Sequence, residues 1–157
     1  MNSNSNSCAL EYLQMLVGQP ITYAYKASDL DLYDFGFGST IERLNWRGEK
    51  RQVCSFVLHA TCRFKIIHRP NGITKCVERF YEDTLSEVFR ASIQRLFSLK
   101  VRRVALSDKN DLWLDFGECW MVFATFEDGE ESWRFFASDE AMPHLVASDL
   151  WLDMQIN

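Results

Sequence analysis

His59 and Cys62, in Leu58-His59-Ala60-Thr61-Cys62, are of the types that do nucleophilic chemistry: a thiol, and an imidazole to take its proton. Glu78 is a further candidate to join them. Spacing argues against the pair. Side chains alternate along a strand, so positions three apart face opposite sides. A structural histidine beside a buried thiol accounts for the same residues. No catalytic residue is therefore assigned, and His59, Cys62 and Glu78 stand as candidates around a sheet-lined pocket.

Asp29, Asp31 and Asp34 could ligate a hard cation, but the ordered oxygen ligands, turn glycine and closing glutamate of a calcium loop are missing. A solvated strand edge is the plainer reading. The two Asp-Phe-Gly triplets come without the glycine-rich loop or His-Arg-Asp loop of a kinase. His68 and His144 adjoin turn residues, Arg69-Pro70 and Pro143, and read as exposed turn histidines. No phosphate-binding glycine loop, zinc-protease motif or nucleophile elbow occurs in the chain. Neither a metal nor a cofactor is expected.

Trp113, Trp120, Trp133 and Trp151 form the other set of interest. Asp111, Asp115, Glu118, Glu130, Glu131 and Asp153 lie near them in sequence. Tryptophans anchor protein interfaces, and surrounding acids would steer a partner with a basic surface. Core and cross-strand packing competes with that reading and is favoured for at least two of the four.

The elements that must position these residues begin with a domain of ordinary size: 157 residues, 47% hydrophobic and 25% charged. A high aromatic share of 14% leans it toward sheet. The net charge of -5 opposes binding to phosphate backbones, so no nucleic-acid partner is expected. Five cysteines without a C-x-x-C pair read as free, buried thiols of a reducing compartment. The Asn/Ser-rich start lacks a signal peptide's basic and apolar regions, and no stretch is apolar enough to span a membrane. These features predict a cytoplasmic protein.

Residues 1–7 read as a flexible polar tail, and 8–157 as one α+β domain. Ser7 is the expected N-cap of a helix carrying Leu10, Leu13, Leu16 and Val17, stopped by Gly18 and Pro20. Strands are expected around Ile21–Tyr25 and Leu30–Leu32, with a bulge at Phe35-Gly36-Phe37-Gly38. Hairpin turns are expected at Arg47-Gly48-Glu49, Pro70-Asn71-Gly72 and Asp128-Gly129, with Val53–Ile67 as one long apolar segment. Thr84-Leu85-Ser86-Glu87 forms a capping box for a helix whose stripe includes Leu85, Val88, Phe89, Ile93, Leu96 and Phe97. The fold class is α+β: about ten strands of mostly antiparallel sheet with two helices packed on it. Two similar helix-plus-meander halves are suggested by echoes of Ser28–Leu32 in Asn110–Leu114 and of Asp34–Gly36 in Asp115–Gly117. A third echo begins at Ser148.

The segment Phe56–Phe64 resembles the Leu-His-x-x-Cys strand of a group of small uncharacterised bacterial proteins. In that group a Tyr-containing acidic stretch follows (here Arg79-Phe80-Tyr81-Glu82-Asp83), then an amphipathic helix. Trp133-Arg134-Phe135-Phe136 and Pro143-His144-Leu145-Val146 are similar to its later motifs. The chain departs from the pattern at Thr61, where glutamine is usual, and at Arg63-Phe64, where Pro-Trp often follows. The resemblance implies a bacterial, cytoplasmic protein and carries no activity with it.

The reading that results is a non-enzymatic protein-binding domain. An immunity-type protein that neutralises a toxin fits it by analogy. The alternative is an enzyme or small-ligand binder with a pocket around His59. A homodimer through an exposed sheet edge is a third arrangement.

Overall fold

The computed structural model describes residues 3–26, 32–68, 75–79, 87–139 and 141–156. Helix α1, Ser3–Leu13, runs into a 3-10 turn at Gln14–Leu16. Strands β1 (Ile21–Lys26), β2 (Tyr33–Leu44), β3 (Lys50–Ala60), β4 (Arg63–His68) and β5 (Lys75–Arg79) follow. After α2 (Glu87–Phe97) come β6 (Arg103–Leu106), β7 (Leu112–Asp115), β8 (Cys119–Ala124), β9 (Trp133–Ala137), β10 (His144–Ala147) and β11 (Leu152–Gln155). The first sheet has the order β1-β2-β3-β9-β10-β11 and the second β5-β4-β8-β7-β6, with antiparallel neighbours in both.

Aromatic side chains from the two inner faces weld the sheets together. Phe35 of the first sheet meets Phe64 and Phe123 of the second edge-on, each at 5.3 Å between centroids. Tyr33 meets Phe64 at 4.8 Å in the same way. Such edge-to-face pairs add about 0.5–1.5 kcal/mol each beyond the area they bury. The helices lie along the two open sides of this sandwich rather than across a face: α1 beside β11 and β6, α2 beside β1 and β5. Leu13 and Leu16 bury there on one side, Ile93 and Leu96 on the other. Among the described residues no helix covers either outer sheet face.

The two halves do repeat one order. α1 precedes the meander β1-β2-β3 in the first sheet, and β4-β5 then cross to the second. α2 precedes the meander β6-β7-β8 in the second sheet, and β9-β10 cross to the first. Corresponding segments touch: Pro20, just before β1, bridges Lys100, just before β6, and the backbone N–H of Val101 donates to Gln19 at 3.0 Å. Phe35 and Phe116, from the two Asp-Phe-Gly triplets, are both in the core. The third echo has a local cause instead. The Ser148 hydroxyl caps a turn by accepting from the N–H groups of Leu150 and Trp151, each at 3.1 Å.

Several local expectations need correcting. Helix α1 begins at Ser3, so Ser7 lies inside it and caps nothing, and residues 3–7 belong to the helix. The apolar run Val53–Ile67 is two strands: the chain crosses between sheets at Thr61-Cys62, whose two N–H groups both donate to the Ser132 carbonyl. Asp128-Gly129 likewise joins strands of different sheets, β8 and β9, and closes no hairpin. The bulge expected at Phe35–Gly38 is present, at the end of that stretch: the register shifts between Phe37 and Thr40, where Gly38 has φ +82°. The turn expected from Lys26 to Asp29 lies, past Lys26 at the end of β1, outside the described residues, as do the turn at 70–72 and capping residues 84–86. No helix among the described residues is long and apolar enough to cross a membrane.

Candidate functional site

One row on the outer face of the first sheet runs across five strands and carries polar residues on four of them, β1, β2, β3 and β9. Tyr25, Asp34, His59, Arg134 and Val146 stand directly opposite one another in register across β1, β2, β3, β9 and β10. Asp34 is largely buried and accepts the hydroxyls of Tyr25 at 2.8 Å and Tyr23 at 3.1 Å. Burial first, and then the Asp34 carboxylate, pushes Tyr25 up to about 12 and raises Tyr23 in the same direction. Both tyrosines stay neutral donors at physiological pH. His59 Nε2 is 3.6 Å from Asp34 Oδ2.

Farther along the row, Arg134 grips Glu131 with two parallel bonds, at 3.0 and 2.8 Å. The guanidinium also approaches His144 Nδ1 at 3.4 Å. Phe136 lies between two imidazoles: His59 meets it edge-on at 4.9 Å and His144 stacks on it at 4.6 Å. Burial, then the nearby Arg134 and His59, lowers the pKa of His144. A neutral imidazole can accept from Arg134 at Nδ1, which fits the contact seen.

Beside this row, β2 and β3 outgrow their neighbours. The last register pair of β1 is Ile21 with Phe37, and that of β9 is Ala137 with Phe56. The β2–β3 ribbon continues past them from Thr40–Cys54 to Leu44–Lys50. Its tip is fastened by Asn45, whose Oδ1 accepts from the N–H groups of Arg47 and Glu49, both at 2.9 Å. Gly48 takes φ +76° there, which a side chain would oppose. This tight turn leaves Trp46 87% exposed and Leu44 68% exposed. The Arg47 guanidinium sits 4.5 Å above the Trp46 ring.

Between the ribbon and the outer face lies an open groove of about 320 Å³. Val53, Val57 and Phe136 form apolar walls, and Arg43, Arg51 and His144 supply the charge and polarity. Arg43 and Arg51 are direct cross-strand partners. Side by side, the two guanidiniums concentrate positive charge on the ribbon. The sign of the site is thus local. Between Thr40 and Cys54 four cations face two carboxylates, in a chain of net charge -5.

The residues singled out in the sequence fall elsewhere or apart. Cys62 is buried in the core, and its thiol is pushed up to about 12 by burial; His59 faces out. Glu78 sits opposite Lys65 on β5 of the other sheet, so His59, Cys62 and Glu78 do not converge. Trp133 is 1% exposed and gives its indole N–H to the Asn110 carbonyl, so it is a core residue and no surface anchor. Trp113 and Trp120 pack edge to face at 5.9 Å on the outer face of the second sheet, with Arg103 over Trp120. Trp151 is 37% exposed and donates to the Gly129 carbonyl. None of the four lines the groove. His68 is buried rather than a turn residue, and His144 is half-buried within the site. Cys8 is exposed, unlike Cys54, Cys62 and Cys119.

Arg43, Arg51, Trp46, Phe136 and Arg134 escaped the sequence reading. The one signal for them was the short basic run from Arg47 to Arg51, which solvated strand and turn charges explain as well. Comparison with known proteins adds nothing to the site: no protein family, curated protein or solved structure matches the chain.

Proposed function

We propose that this chain is a non-enzymatic protein-binding domain, whose recognition surface is the β2–β3 ribbon together with the groove beneath it. The occupant is an acidic segment of a partner protein carrying an apolar side chain. The observation that carries the reading is the ribbon itself: Trp46 and Leu44 are exposed on an arm whose Arg43 and Arg51 oppose each other over an apolar-walled groove. An exposed tryptophan with arginines around it has the composition of an interface anchor. Arginine forks suit carboxylates.

The expectation of a basic partner rested on acids near the tryptophans in sequence. Those acids are scattered, whereas the ribbon concentrates cations, and this favours the opposite sign of partner. An immunity-type role is one form of the reading, in which the acidic segment belongs to a toxin. A photo-crosslinking residue at position 46 or 44, in the native cell, tests it. A discrete adduct lost on R43E/R51E supports the reading. Adducts no stronger than those from position 109, elsewhere on the surface, would reject it.

A second reading keeps the pocket beside His59 for a small anionic ligand. Its support is the groove volume, which stands at the lower end of small-molecule sites of about 300–1,000 Å³. Chemical-shift changes at Val57 and Phe136 on adding small carboxylates or phosphate, with Trp46→Ala without effect, would favour it over the first.

A further inference from the structure

A second polar pair lies at the far end of the other sheet. His68 on β4 and Cys119 on β8 are direct cross-strand partners, and imidazole Nδ1 stands 2.8 Å from the thiol Sγ. Both are buried, His68 at 6% exposure. Among the described residues His68 Nε2 has no hydrogen-bond partner, an uncommon state for a buried polar atom. The pair lines a cleft of about 330 Å³, with Arg95, Ser98 and Leu99 from the end of α2 and with Glu118.

Burial, then the Glu118 charge, raises the Cys119 pKa, while burial, then Arg95, lowers that of His68. The pair therefore rests as neutral thiol and neutral imidazole. With Sγ–H donating to Nδ1, the imidazole proton sits on Nε2, the atom left without an acceptor. A thiol in this state attacks only if its proton leaves as the new bond forms, and the nearest acceptor is already in hydrogen-bond contact.

We propose that Cys119 is a nucleophilic thiol, with His68 as its proton acceptor, that exchanges with a small disulfide of an amino-acid or peptide thiol entering this cleft. Arg95 matches such a ligand's carboxylate and Glu118 its ammonium group. In the exchange the Sγ–H bond breaks and its proton passes to His68 Nδ1. Sγ bonds one ligand sulfur as the ligand S–S bond breaks, and the departing thiolate takes the proton from His68. Cys119 is left in a mixed disulfide, and one ligand thiol is released. Disulfide exchange proceeds by attack of a thiolate, so the neutral Cys119 thiol must hand its proton to His68 as it attacks, and the ligand must reach Sγ through the cleft. The inference is independent of the ribbon and its groove.

The test uses the full chain with Cys8→Ser, which removes the thiol exposed among the described residues, and oxidised glutathione as probe. Peptide mass mapping follows the glutathionyl adduct at each cysteine over time. Cys119 is expected to be modified well before Cys54 and Cys62. His68→Gln should slow that modification by about 10²-fold, the lower end of what a positioned proton acceptor contributes. Arg95 is exposed, so Arg95→Gln keeps the fold; it should slow reaction with oxidised glutathione but not with neutral hydroxyethyl disulfide. If His68→Gln unfolds the chain, Cys54 and Cys62 become labelled alongside Cys119, and the Arg95→Gln comparison then decides. Modification of Cys119 no faster than of Cys54 and Cys62 overturns the proposal. So does an unchanged rate in a folded His68→Gln chain, or equal slowing by Arg95→Gln with both probes.

Discussion

Asp34 and His59 face each other directly across β2 and β3, with 3.6 Å between carboxylate Oδ2 and imidazole Nε2. The carboxylate also accepts the hydroxyls of Tyr23 and Tyr25, so one acid ties three strands together on an outer face. A largely buried carboxylate needs such donors, because an unpaired charge removed from water is costly. The cluster fixes the sheet beside the groove. In this account its role is structural support for a binding surface, and the chemistry of the cluster can be tested separately from binding.

Asp34→Asn should destabilise the fold by about 1–3 kcal/mol, the usual loss for hydrogen bonds to a charged group. It should also alter the alkaline limb of stability. Tyr25 titrates near 10.0 when unfolded and at about 12 when folded. Its contribution is therefore complete below 10.0 and lost as pH rises through about 12. In Asp34→Asn the tyrosinate absorbance should develop at lower pH, with a smaller change than full exposure gives, because burial is the larger cause. A titration identical to that of the parent would contradict the arrangement.

Acid acts through two other groups. His144 and His68 are both held below the 6.5 of a free imidazole, chiefly by burial. Below that pH the unfolded chain takes up protons that the folded chain refuses, so the stability present above 6.5 falls on acidification. Denaturant midpoints at about pH 7.5 and about pH 5.5 should show the loss, above the range where most carboxylates titrate. His144→Gln and His68→Gln should each reduce the difference. A difference as large in the double variant as in the parent would refute this assignment.

Gly36 is required by close approach rather than by turn geometry. A Cβ there would lie 2.2 Å from Cε1 of the Tyr23 ring, which is tethered to Asp34 by its hydroxyl. Gly36→Ala should cost about 1–3 kcal/mol, as overpacking does. In the background of Tyr23→Ala the same substitution should cost much less. Additive effects in urea unfolding would show that the ring is not what excludes the side chain.

The tryptophans separate sharply by role. Trp133→Ala should cost about 3–5 kcal/mol, since it empties a core position and orphans the Asn110 carbonyl. Trp46→Ala should leave stability within about 0.5 kcal/mol, as at other exposed sites. Equal losses at the two positions would mean that Trp46 packs on the fold.

The sequence made the local elements readable where spacing and turn chemistry act over a few residues. Arg47-Gly48-Glu49 marked the ribbon tip, and the glycines after Phe35 marked the bulge. Meander order was visible in the alternation of strands such as Trp133–Ala137. What stayed hidden depends on register. Val53–Ile67 looked continuous because Thr61-Cys62 interrupts neither hydrophobicity nor length, although the chain changes sheets there. The pairing of Arg43 with Arg51 follows from the bulge, which shifts β2 by one residue against β3. His68 and Cys119 meet across 51 positions, beyond the reach of any local pattern. Acids that look clustered around tryptophans in sequence are spread over β7, β11 and the connecting segments before β7, β8 and β9.

Docking through the ribbon is reported most directly by a crosslinker at position 46. The prediction is a discrete adduct with an acidic segment of one partner, formed in the native cell and abolished by R43E/R51E with the fold intact. An adduct of equal strength in R43E/R51E, or none above that from position 109, would contradict it.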